Sequence, residues 1–112
     1  MTELTETLKQ LSALGQETRL LAFRVLMEAG MEGMPAGSVA EHLQVTPNKL
    51  SGHLTILVQS GLVSVQREGR HMIYKAEPDA VNRLLSMLVD NCCHGRPEIC
   101  LPAGTTRRTG TK

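Results

Sequence analysis

Aromatic side chains are nearly missing from this chain: Phe23 and Tyr74 are the only two rings of their kind, and tryptophan is absent. A core without large rings has to be filled by Leu, Val, Ile, Ala and Met, a palette that suits packed helices better than broad sheets. No apolar run approaches the roughly 20 residues that a membrane-spanning helix needs. Met1 to Gly15 mixes polar and apolar residues, unlike a secretory leader, so the expected location is the cytoplasm. Net charge is also scarce, only +1 at pH 7, and does not by itself announce a nucleic-acid partner. Cysteine is missing from most of the chain: all three, Cys92, Cys93 and Cys100, fall in the stretch "DNCCHGRPEIC". An odd number in a reducing compartment argues against a disulfide framework and for thiol chemistry or metal binding.

What remains is enough for one domain. At 112 residues the chain can bury one modest core. "ELTETLKQLSALG" places Leu4, Leu8, Leu11 and Leu14 at helical spacing and stops at Gly15. "QETRLLAFRVLMEAG" predicts a second helix with Leu20, Leu21, Phe23, Val25 and Leu26 on a broad apolar face, ended by Gly30. "MEGMPAG" reads as punctuation, and "SVAEHL" as a short helix that Ser38 is able to cap. In "QVTPNKLSGHLTILVQSG", Thr46 suits an N-cap and Pro47 the first helical position. Leu50, Leu54, Leu57 and Val58 form the inward stripe and Gly61 the stop. Leu62 to Ala76 reads as a hairpin around "EG", its turn type open. A last helix starts at Pro78 with Val81, Leu84, Leu85 and Leu88 as its stripe, and Gly95 and Pro97 keep it from running far past Cys93. The end, "AGTTRRTGTK", is small, polar and basic, the composition of a flexible tail.

A short helix, a tight turn and a helix opened by Thr-Pro are helix-turn-helix punctuation, and the hairpin after them is a wing. The fold class predicted is therefore mainly α with a β-hairpin wing. Residues 1–93 form the winged helix-turn-helix, and residues 94–112 a cysteine-containing turn and basic tail. Charge agrees: residues 1–40 carry three cations against five carboxylates, whereas residues 41–75 carry four cations against two. With its leucines inward, the second helix of the motif turns Asn48, Lys49, Ser51, Gly52 and Thr55 outward from the cap at Thr46. Asn48 can bridge adenine and Lys49 can reach guanine or a phosphate. His53 lies nearer the inward edge, suited to a phosphate or to packing. Arg67, Arg70 and His71 cluster around Gly69 at the wing tip, where they can follow a DNA backbone or groove.

The run "SVAEHLQVTPNKLSGHLTILVQSGLVSVQREGRHMIYKA" resembles the winged helix of the ArsR/SmtB family of bacterial metal-sensing repressors. The resemblance is carried by "LSGHLTIL", "SGLV", "REGR" and "YK", with "LGQETRL" upstream, and spans roughly residues 5–93. It implies a winged-helix homodimer on operator DNA, with the first and last helices forming the dimer interface, and no enzyme. Four departures stand out. Gly52 occupies the place of a long side chain before the histidine, and Pro47 that of a glutamine after the cap. "MPAGSVAEHL" holds none of the cysteines that many arsenic sensors carry there. The family's last-helix zinc site begins Asp-x-His, and this chain reads "PDAVNR" instead.

The sulfur has therefore moved to the far end. Soft thiolates select thiophilic ions, and trivalent arsenic or antimony, with three bonds and a lone pair, is satisfied by three of them. Neighbouring helical residues diverge by about 100°, so Cys92 and Cys93 converge best where the helix frays near Gly95. The turn "HGRPE" then brings Cys100 over the pair, within one subunit or shared between two. Zinc, cadmium or lead remains an alternative, with Asp90, His94 or Glu98 as a fourth zinc ligand. So does a thiol redox switch that pairs Cys100 with one neighbour. A small arsenate reductase is a poor match, because no arginine closes a phosphate loop at the right distance from any of the cysteines. A DNA-binding module without a ligand is the remaining reading. The expectation is a cytoplasmic repressor released from DNA by arsenite or antimonite, with As(III) or Sb(III) as inducer on Cys92, Cys93 and Cys100 and no organic cofactor.

Overall fold

Three of the predicted glycine stops sit at helix ends. In the computed structural model, which describes residues 2–89, α1 (Thr2–Leu14) runs out just before Gly15, α2 (Glu17–Ala29) is closed by Gly30, and α4 (Pro47–Ser60) by Gly61. Between α2 and α4 lie a single 3-10 turn (Gly30–Glu32), the two-residue strand β1 (Met34–Pro35) and α3 (Ala36–Leu43). Strands β2 (Val63–Glu68) and β3 (His71–Ala76) follow, then α5 (Pro78–Val89). The chain divides between Ala80 and Val81 into two compact units.

The hairpin is one part of a three-stranded antiparallel sheet in the order β1-β3-β2. "MEGMPAG" is therefore more than punctuation: Met34 pairs with Tyr74 and Pro35 with Ile73. Gly33 makes that pairing possible. It takes a positive φ of 69°, and a Cβ there would sit 2.6 Å from the carbonyl oxygen of Tyr74. Ser38 does not cap α3. The helix starts two residues earlier, at Ala36, with Pro35 in the extended conformation before it; Pro35 already fixes the backbone geometry a helix start needs.

Leu50, Leu54 and Leu57 of α4 are fully buried, as their spacing predicts, and Val58 is half-buried. They meet Ala22, Phe23 and Leu26 of α2, Val39 and Ala40 of α3, and Leu62 and Val63 at the start of the wing, to form the core of the first unit. Each fully buried leucine stabilises the fold by about 1.5–3 kcal/mol. On α2, however, Leu20 and Leu21 stay exposed. The broad face narrows to the residues that α3 and α4 can cover.

Helix α1 packs on α4 by an unexpected side. Thr7, Gln10 and Ala13 are buried, whereas Leu4, Leu8 and Leu11 are 43%, 58% and 39% exposed. The Gln10 amide donates to the carbonyl of Ser60 over 3.3 Å. Ser60 is itself satisfied, its hydroxyl donating to Leu57 and accepting from the Leu62 N–H. On α5, Leu85 and Leu88 of the predicted stripe are each 39% exposed. Among the described residues no helix is long and apolar enough to cross a membrane.

Candidate nucleic-acid interface

The turn between α3 and α4 is closed tightly. Gln44 adopts left-handed backbone angles, φ 57° and ψ 44°, a conformation that costs a residue with a Cβ about 1–2 kcal/mol. The next residue returns a hydrogen bond to α3, from the Val45 N–H to the Ala40 carbonyl over 3.1 Å. Thr46 then caps α4: its hydroxyl oxygen accepts from the Lys49 N–H at 3.2 Å, and Pro47 takes the first helical position. The start of α4 is thus held by side chain and ring alike, and its unpaired N–H groups give that end a partial positive charge that suits a phosphate.

Asn48, Lys49, Ser51, Gly52 and Thr55 are all exposed on α4, on the side away from the leucines. The Thr55 hydroxyl donates back to the Ser51 carbonyl over 3.1 Å, which leaves its oxygen as an acceptor. A Cβ at Gly52 would meet nothing within 4 Å, so this is a flat place in the polar face. His53 stands apart from them. It is half-buried, and its Nδ1 lies 3.3 Å from a guanidinium nitrogen of Arg19 on α2. Nothing in the local pattern of the sequence singles out Arg19. "LGQETRL" carries it only as part of the resemblance.

Wing residues Arg67, Arg70 and His71 are exposed, but the sheet does not gather all of them. Arg67 pairs with Met72 and Glu68 with His71. Successive side chains on a strand point to opposite faces, so Arg67 shares a face with Val65, Met72 and Tyr74, and His71 lies on the other beside Glu68. The loop is Gly69–Arg70, with Gly69 at φ 61° and no positive φ at Arg70. A positive angle at the first position alone marks a type II′ turn, which settles the turn left open by sequence. A groove of about 580 Å³, lined in part by Gln44, Val45, Pro47 and His71, separates the helix-turn-helix from the wing.

An ArsR-like transcriptional regulator from Rhodococcus sp. RHA1 superposes on this architecture with a TM-score of 0.71 at 28% identity, over 84% of this chain and 86% of that one. Nodulation protein NolR of Rhizobium meliloti is 34% identical over 80 residues, which cover 71% of this chain and 63% of NolR. The chain is similar in fold and sequence to ArsR-like winged helix-turn-helix regulators. A further structure, a possible transcriptional regulator for arsenical resistance, matches with a TM-score of 0.62 at 26% identity, over 76% of this chain and 84% of that one. The Rhodococcus protein and the possible regulator for arsenical resistance are transcriptional regulators by name, and the chain spans less than two thirds of NolR's length. No protein-family model matches the chain.

The cysteines that the sequence assigns to a sensor, Cys92, Cys93 and Cys100, lie outside the described residues, as do Asp90, His94 and Glu98. Among the described residues no group of three His, Cys, Asp or Glu side chains is placed to hold a metal ion.

Proposed function

We propose that this chain is a cytoplasmic, homodimeric repressor of the ArsR family that holds operator DNA until arsenite or antimonite binds Cys92, Cys93 and Cys100. One observation carries the DNA-binding half: a capped helix that buries Leu50, Leu54 and Leu57 turns a mostly polar face outward, with Ile56 exposed among Asn48, Lys49, Ser51, Gly52 and Thr55, beside an arginine-bearing wing. Asn48, Ser51 and Thr55 read base edges, and Thr46, Lys49, Arg67, Arg70 and His71 meet phosphates. Exposed leucines on α1, and separately on α5, are apolar residues suited to a contact with a second copy. Two half-sites about 34 Å apart, one turn of DNA, would be met by the recognition helices of such a dimer.

The sensing half is supported by donor chemistry. Three soft thiolates close together in the sequence fit a trivalent, thiophilic centre and lack a fourth thiolate for a tetrahedral zinc site. The resemblance to a possible regulator for arsenical resistance points the same way. Drawing the three sulfurs together reshapes the chain beyond α5 and shifts the two reading helices relative to each other. A coupling of about 1–3 kcal/mol is enough to weaken DNA binding about 5- to 150-fold.

Fluorescence anisotropy on DNA from upstream of the gene tests this, with wild type and each Cys→Ser variant titrated with arsenite, antimonite, zinc and cadmium. The expected result is release by arsenite and antimonite, lost in every single-cysteine variant. Release by zinc or cadmium alone would replace the inducer. Release that survives loss of two cysteines would remove the thiolate site, and release by oxidant in place of metal would make the trio a redox switch.

A further inference from the structure

Arg19 sits in the first turn of α2, its own N–H received by the side chain of the Gln16 cap at 2.9 Å. Its guanidinium leaves α2 and joins two other helices. Nε donates to the carbonyl of Ala13 at the end of α1 over 2.7 Å, and Nη1 lies 3.3 Å from Nδ1 of His53, in the middle of α4. A guanidinium has only donors, so Nδ1 of His53 must accept. That assigns the ring as a neutral imidazole with its proton on Nε2.

This is the arrangement of a spacer. The cation stands at the C-terminal end of α1, where the helix dipole favours it. Its planar fork fixes direction as well as distance, whereas leucine packing between helices tolerates small rolls. Both Arg19 and His53 are half-buried, so the contact is shielded more than a surface pair. His53 lies between exposed Gly52 and buried Leu54, at the border of the polar face. A roll of α4 would move His53 and the polar face together.

The geometry points to Arg19, alongside the Gln10–Ser60 bond between the same two helices, as a residue that sets the roll of α4 against α1, acting through the neutral Nδ1 of His53. His53 is then a positioning residue and not a phosphate contact. This inference rests on the reading of α4 as the DNA-reading helix, and it names what aims that helix. It also joins α1, with its exposed leucines, to the reading surface by one side chain.

Full-length wild type, Arg19→Lys, His53→Asn and His53→Gln test it by anisotropy on the upstream DNA fragment, with far-UV circular dichroism as the check on folding. Asparagine can place an oxygen acceptor near the position of Nδ1, and glutamine near that of Nε2. His53→Asn should keep wild-type affinity within about threefold, while His53→Gln and Arg19→Lys lose about tenfold, the size of one hydrogen bond to a charged group. The reverse order, with glutamine retained and asparagine weakened, would make His53 a phosphate contact through Nε2 and overturn the proposal. So would wild-type affinity in Arg19→Lys. The nitrogen-15 shifts of the His53 ring in the wild type give a readout that needs no DNA: a proton on Nε2 supports the assignment, and one on Nδ1 overturns it. Wild type that binds no DNA while the ring carries its proton on Nε2 would defeat the DNA reading and leave the Arg19–His53 link standing.

Discussion

Helices α1 and α4 carry nearly the same written pattern and put it to opposite use. Both space leucines by three and four residues. In α4 these leucines vanish into the core, but in α1 Leu4, Leu8 and Leu11 remain exposed while Thr7, Gln10 and Ala13 face α4. A leucine stripe therefore says that a face will be covered, and not by what. In α4 the chain covers it. In α1 the chain spends its inward side on small and polar residues and leaves the leucines exposed, the face that the proposal gives to a second copy.

That comparison can be broken at several points. The largest expected effect is on the covered stripe. Leu54→Ala should lose about 2–5 kcal/mol through lost burial and the cavity left behind, read by urea denaturation. A loss near zero would mean the α4 stripe is not the core. Next comes the inner face of α1. Gln10→Ala removes the donor to the Ser60 carbonyl at a buried site and should cost about 1–3 kcal/mol. The outer stripe should behave differently. Leu8→Glu leaves the fold of the single chain intact by circular dichroism, but should halve the mass in sedimentation and weaken DNA binding. Dimers that persist at the wild-type concentration would show that another face joins the copies. The smallest effect belongs to the reading face: Lys49→Ala should weaken all DNA sequences alike and reduce the salt slope by about 1. A slope unchanged by that substitution would take Lys49 off the phosphates.

Much of α4 was legible because local and global signals agree there. Thr46 and Pro47 start it, three leucines at helical spacing hold it down, and Gly61 ends it. The hairpin was legible for the same reason, with β-rich runs on both sides of Gly69. What escaped depends on distant partners. Strand β1 is two residues long and exists only because Tyr74 and Ile73 receive it. The left-handed angles of Gln44 are imposed by the closing turn, on a residue type that does not advertise them. Ser38 is a good cap by type, but Pro35 had already set the helix start. The contact between Arg19 and His53 joins residues 34 apart, beyond any periodicity. Side-chain identity suggested a wing cluster of Arg67, Arg70 and His71, and strand alternation divides it between two faces.

Sedimentation velocity of the wild type with fluorescent operator DNA, before and after arsenite, tests the central claim most directly. Two chains should travel with each DNA duplex, and the label should return to the position of free DNA once arsenite occupies the thiols. One chain per duplex, or a complex that sediments unchanged with arsenite bound, would contradict the account.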